Sequence, residues 1–235
     1  GESRLCIHVL LSGGGLKREG VLVHFNTNGL LLKEETIKKI IDLKIDSIKF
    51  SFQGIDDMTY SEMRRGGSYT KLIDTIKLMY KMRGDGDKPF ISVSTSTTYE
   101  GEEEIIRFKE EISRYCDEVN VGKTLLEHVD IMHIGLTEER QQIYEQFIKE
   151  KPWNVSRPAA CPEIWDKLSI NWDGSVSACC ADYNNMMIVG NILENDLQEL
   201  FCGEKEMQYR EILKKDNYDI LPLCKNFYEY IPLKH

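Results

Sequence analysis

The chain lacks several things, and each absence narrows what it is. No apolar run approaches the roughly 18–20 residues that a membrane-spanning helix needs. No secretory signal opens it, although it begins with Gly1 inside what reads as a motif, and it is read here as a fragment whose true N-terminus is missing. It has no excess of positive charge: 30 Lys and Arg face 39 Asp and Glu, a formal net charge of −9. A surface of that sign argues against broad nucleic-acid binding. There is no internal repeat and no low-complexity tract. The seven cysteines are odd in number and the chain is not small, which argues against a secreted disulfide framework and for a reducing, cytoplasmic setting. Ahead of Cys161 no three cysteines stand close together in sequence.

What is present is ordinary globular composition, 41% hydrophobic and 29% charged over 235 residues. That length holds one large domain, or a domain and a small appendix. Strand-like stretches at 21–28, 46–54, 89–98 and 117–124 alternate with helical spacing over Glu34–Leu43, Tyr69–Met82 and Glu102–Tyr115. In the last helix Ile105, Ile106, Phe108 and Ile112 are expected inward. Strands alternating with helices predict βαβ units and a parallel sheet, whose ligand sites lie at the strands' C-terminal ends. Asn28, Ser51 and Thr95–Thr98 are expected there. The triplet Gly13–Gly15 predicts a short or distorted helix before the first of these strands. Residues 125–160 read as a connector, with a helix capped by Thr137-Glu138-Glu139 running to about Ile148.

From Cys161 the character changes. LSINW, Asp173-Gly174 and SVSAC read as a hairpin, because Asp-Gly supplies the positive φ of a tight turn. Helices are expected over Asp196–Phe201 and Glu204–Lys214. The hairpin brings Cys161 and Cys179 together, and Cys224 returns to them as a third thiol. Thiolates gathered this way hold a metal or an iron–sulfur cluster. Cys180 is expected to point away from Cys179, because strand side chains alternate. Cys6 and Cys116 read as small buried hydrophobes.

The ordered series GES (1–3), FNTNGLLL (25–32), IKFSFQGIDDMTYSEMR (48–64), CP…WDGSV…CC (161–180), GNI (190–192) and PLCKN (222–226) resembles radical S-adenosylmethionine enzymes. More narrowly, it resembles those with a C-terminal SPASM or twitch extension. The resemblance implies an α/β fold: an incomplete parallel (β/α) barrel over 1–124 and a small auxiliary-cluster domain over 161–235, with a hairpin and short helices. It implies S-adenosylmethionine and a [4Fe–4S] cluster that together generate a 5′-deoxyadenosyl radical. It also implies an electron donor such as flavodoxin or ferredoxin. The substrate would be a small polar or sugar-like molecule, as in twitch-type aminocyclitol dehydrogenases, or a peptide.

The family holds its radical-generating cluster on C-x3-C-x2-C, and this sequence contains no such triplet. The resemblance places that loop before Gly1. By position it assigns Glu2 to the cofactor's amino group, Ser51 to its ribose or carboxylate, and Arg64 to its carboxylate. The plainer readings are a frayed Glu2, a turn-capping Ser51, a solvated helix-end Arg64 and a turn-forming Asn28. It makes Cys161, Cys179 and Cys224 ligands of an auxiliary cluster, with Phe227 where the family usually has a fourth cysteine. Cys180 and Cys202 are candidate substitutes. Structural zinc and no metal are the other readings of this site. A non-catalytic scaffold domain derived from the family is the alternative function. The sequence encoded just before Gly1 discriminates between them.

Overall fold

The computed structural model describes residues 17–64, 66–124, 137–149, 161–182 and 184–224. The chain divides into two compact units, Gly1–Glu150 and Lys151–His235.

In the first unit, β1 (His24–Thr27), β2 (Ser47–Gln53), β3 (Phe90–Thr97) and β4 (Glu118–Lys123) form one sheet in the order β1-β2-β3-β4, every pairing parallel. The helices between them are α1 (Glu34–Asp42), α2 (Asp57–Met63), α3 (Tyr69–Arg83) and α4 (Glu102–Ile112). Burying apolar surface is the main drive for this arrangement, at about 1.5–3 kcal/mol for each large side chain fully enclosed. Ile48, Phe50, Ile91 and Val93 of the sheet, with Ile37 and Ile40 of α1 and Leu72, Ile76 and Met79 of α3, are all at 0% exposure. Phe108 and Ile112 of α4 complete this core.

Two local differences from the sequence reading have simple causes. The spacing of Ile105, Phe108 and Ile112 puts those three on one stripe of α4, so Ile106, about 100° round the helix from Ile105, stays 48% exposed. The helix tightens after Ile112 into a 3₁₀ turn over Ser113–Tyr115 instead of running on to Tyr115. The sequence reading placed Arg64 at a helix end without bounding that helix, which is α2. Helix α2 is nucleated by Asp56, whose carboxylate accepts from the Thr59 amide at 2.8 Å while the Thr59 hydroxyl accepts from the Asp56 amide. The expected helix around Gly13–Gly15 lies outside the described residues.

Charged clamps close the N-terminal ends of the strands. Asp46 accepts from Lys17 at 2.6 Å, from Lys88 at 2.6 Å and from the Val23 amide at 2.9 Å. The two ammonium partners hold its carboxyl well below the usual range. Asp117 accepts from Arg83 and, at 2.6 Å, from the Ile91 amide. After β4 comes α5 (Glu138–Lys149).

The second unit is built on an antiparallel sheet of β5 (Ser169–Ile170), β6 (Ser175–Ser177) and β7 (Ile188–Asn191). Helix α6 (Glu163–Asp166) precedes it, and α7 (Leu197–Cys202) and α8 (Glu204–Lys214) follow. Gly174 has φ +83°, as the Asp-Gly hairpin requires. Asp173 accepts from the Ser175 amide and hydroxyl at 3.0 and 2.7 Å and fixes the turn. Ile164, Ala178, Met187, Leu213, Leu221 and Leu223 form a second core.

Candidate functional sites

The four-stranded sheet has two chemically opposite faces, because consecutive side chains alternate. One face carries Ile48, Phe50, Ile91 and Val93 into the core. The register sets the other face in polar rows. Asn26, Lys49, Ser92 and Glu118 lie side by side, and Ser51, Ser94 and Asn120 form the next row toward the strands' C-terminal ends. Gln53, Ser96 and Gly122 form the row after that. Ser92 donates to Glu118 at 2.9 Å. Lys49, Ser51, Ser94 and Asn120 have no side-chain partner among the described residues. Ser51 therefore sits on the exposed polar face, two residues inside the C-terminal end of β2.

Arg64 ends α2, the helix that starts four residues after β2, and is exposed. At the same ends of the strands Tyr99 donates to Glu62 at 2.6 Å, and the Thr98 hydroxyl bonds that of Thr124 at 2.9 Å. Asn28 is a turn former: its side-chain oxygen accepts from the Leu30 amide at 3.2 Å. Glu2, Cys6 and Phe227 lie outside the described residues. The sequence reading did not single out Lys49, Ser94 or Asn120. Their alternation with apolar neighbours was visible, but it reads the same for any solvated sheet face.

In the second unit Cys161 immediately precedes the turn into α6, Cys179 follows β6 by two residues, and Cys224 closes the described chain. All three are half-buried. Cys179 and Cys224 both pack against the second core. Burial pushes the Cys179 thiol up to about 11, and the charges of Cys180, Cys161 and Cys224 add to that rise. The Ala181 amide, 3.5 Å from its sulfur, opposes it. Cys180 is exposed, and the expectation that it alternates with Cys179 along a strand fails, because β6 ends at Ser177 and Cys180 lies in the following turn. Cys202 is exposed at the end of α7. Cys116 belongs to the first unit's core, donates to the Ile112 carbonyl at 3.3 Å and is pushed up to about 11 by burial, as a structural thiol should be.

Half-buried thiols, with Cys179 resisting ionisation for want of a nearby cation among the described residues, fit a positively charged sulfur-loving group. Among the described residues no three His, Cys, Asp or Glu side chains are grouped to hold a single metal ion. Zinc would need its thiolates about 2.3 Å from one point, whereas thiolates of a four-iron cluster bind separate irons and stand further apart. No helix among the described residues is long and apolar enough to cross a membrane.

Comparison with known proteins adds to this geometry. Residues 3–112 match the Radical SAM superfamily, and residues 161–226 match SPASM, an iron–sulfur cluster-binding domain. The chain is 23% identical over 244 aligned positions to the tungsten-containing aldehyde ferredoxin oxidoreductase cofactor-modifying protein of Pyrococcus furiosus, covering 89% of this chain and 66% of that protein. Its fold resembles Streptococcus suis SuiB bound to S-adenosylmethionine, with TM-score 0.60 and 16% identity over 94% of this chain and 61% of SuiB. It also resembles anSMEcpe with bound AdoMet, with TM-score 0.53 and 16% identity over 81% of this chain and 57% of that one. The chain therefore spans about six-tenths of the length of these relatives.

Proposed function

Because this chain belongs to the radical S-adenosylmethionine superfamily and ends in a SPASM domain, we propose that it is part of an oxidoreductase or modifying enzyme acting on a polar substrate, sugar-like or peptide. S-adenosylmethionine and its [4Fe–4S] cluster, when bound, supply a 5′-deoxyadenosyl radical that removes a substrate hydrogen. The family's C-x3-C-x2-C is absent from these 235 residues, so they supply no ligands for that cluster. What they supply is a cradle and an auxiliary site. Ser51 and Arg64 would hold the cofactor's polar groups, joined by Glu2. Cys161, Cys179 and Cys224 would hold the auxiliary cluster.

The observation that carries the reading is the SPASM match over residues 161–226, which contains Cys161, Cys179 and Cys224. The polar face of the sheet supports a polar substrate, since an apolar one would leave Lys49 and its neighbours desolvated without partners. The relative's printed name, a cofactor-modifying protein, supports the modifying branch, and SuiB is known bound to its precursor peptide SuiA. Electrons would come from a flavodoxin or ferredoxin in the cytoplasm.

The test is anaerobic reconstitution of this chain with iron and sulfide. The expected result is visible iron–sulfur absorption and stoichiometric iron, each reduced in Cys161→Ala, Cys179→Ala and Cys224→Ala. Colourless protein, or a cluster indifferent to all three changes, overturns the reading and leaves a scaffold domain in its place.

A further inference from the structure

Asp182 stands three residues after Cys179, is 6% exposed, and has no cationic partner among the described residues. It is nonetheless fully occupied. Its Oδ2 accepts from the Ser177 hydroxyl at 2.7 Å and from the Met187 amide at 2.8 Å, and its Oδ1 accepts from the Met186 amide at 2.8 Å. A buried carboxylate is costly unless hydrogen-bonded. Three donors converge on its two oxygens, and an amide in its place would turn an N–H₂ toward one of them.

These bonds tie the end of β6 to the start of β7 and close the segment between them into a loop. Inside the loop are Cys179 and Cys180. The Cys179 amide approaches the Ser177 hydroxyl at 3.4 Å, and the Asp182 amide donates to the Cys179 carbonyl at 3.2 Å. The Ala181 amide is thereby directed at the Cys179 sulfur, 3.5 Å away. Hydrogen bonds to ligand sulfurs tune iron–sulfur reduction potentials, and groups that orient a ligand govern how firmly metal is held.

We propose that Asp182, acting through Ser177, is the positioning residue of the auxiliary site: it fixes the Cys179 thiolate and aims the Ala181 amide at its sulfur. The inference rests on the reading of Cys179 as a cluster ligand.

The experiment compares wild type, Ser177→Ala and Asp182→Asn after the same anaerobic reconstitution. It measures the rate of iron loss to a chelator, the cluster's reduction potential and the melting temperature of the iron-free protein. Loss of iron should quicken about 10-fold or more, in the range usual for removing a ligand-orienting partner. In Ser177→Ala, which changes no charge, the potential should also move to a more negative value as the N–H···S contact loosens. A merely structural role would lower the melting temperature and leave the potential of the folded protein where it was. If Asp182→Asn does not fold, Ser177→Ala decides alone. Wild-type chelation rate and potential in a folded Ser177→Ala protein overturn the inference while the cluster stands. A wild type that binds no cluster through Cys179 overturns the underlying reading and this inference with it.

Discussion

Arg210 Nε on α8 donates to the carbonyl oxygen of Ile164 at 3.1 Å, fastening that helix to the segment that follows Cys161. The guanidinium also lies over the Phe201 ring, 4.2 Å from its centroid, and 3.4 Å from Glu206 Oε1. Glu206 is at 0% exposure, and its Oε2 has no hydrogen-bond partner among the described residues. Above about pH 7, where Glu206 is ionised, breaking the buried pair strands the remaining charge, so Arg210→Ala should destabilise the second unit by about 3–5 kcal/mol. Chemical denaturation of the iron-free protein measures this, and a loss below about 1 kcal/mol would show the pair to be dispensable.

Glu206 also gives the fold a pH dependence. Burial pushes its carboxyl up to about 7, against a smaller pull downward from Arg210. The unfolded chain releases this proton near pH 4.5, while the folded chain keeps it until about pH 7. Between those values the folded state binds more protons, so raising the pH favours unfolding. Stability from this group is full below about pH 4.5 and is lost by about pH 7. Melting curves for wild type and Glu206→Gln across that window should show a pH-dependent loss that the variant lacks. Parallel curves would refute it.

Gly54 carries the chain out of β2 into α2 with φ +80°, and a Cβ there would lie 2.5 Å from Thr59 Oγ1 and 2.6 Å from the Tyr60 amide nitrogen. Gly54→Ala should cost about 1–3 kcal/mol or more, combining left-handed strain with a clash against backbone. Urea denaturation would show it, and a variant as stable as wild type would mean that the turn relaxes freely.

Arg64→Ala in the intact protein should weaken S-adenosylmethionine binding by about 1.5–3 kcal/mol, the worth of a hydrogen bond to a charged group. Equilibrium binding to the cluster-loaded protein is the measurement. Undiminished affinity would return Arg64 to the status of a solvated helix-end charge.

Phe227→Cys would place a thiol where the resemblance to SPASM-type proteins expects a fourth ligand. The reconstituted variant should lose iron to chelator and oxygen more slowly than wild type, and an equal or faster loss would show that position 227 is out of reach of the cluster.

The sequence revealed most where periodicity is strong and sustained. The β-branched run at 89–98 and the spacing of Leu72, Ile76 and Met79 correspond to β3 and α3 within a residue or so at each end. Short elements escaped it or were left without bounds. Seven residues of α2 make barely two turns, too few for a periodic signal, and its start depends on one cap at Asp56. Strand β7, IVGN, does not alternate and pairs with β6 through an irregular register. At the thiol site the cysteines themselves were legible, because their residue type carries the chemistry. Asp182 was not, because a surface aspartate and one buried under three donors have the same letter. Cys180 was misplaced for a related reason: the reading extended β6 beyond Ser177, whereas the knot at Asp182 ends it there.

Along β2, neighbours in sequence answer to different judges. A change at Ile48, Phe50 or Phe52 is tried by the folding equilibrium, because those side chains are enclosed. A change at Lys49, Ser51 or Gln53 meets only whatever lies against the opposite face. The parity of a position thus separates heritable shape from heritable chemistry. A lineage built on this strand is free to exchange what the sheet grips, one odd-numbered residue at a time, without rebuilding how the sheet stands.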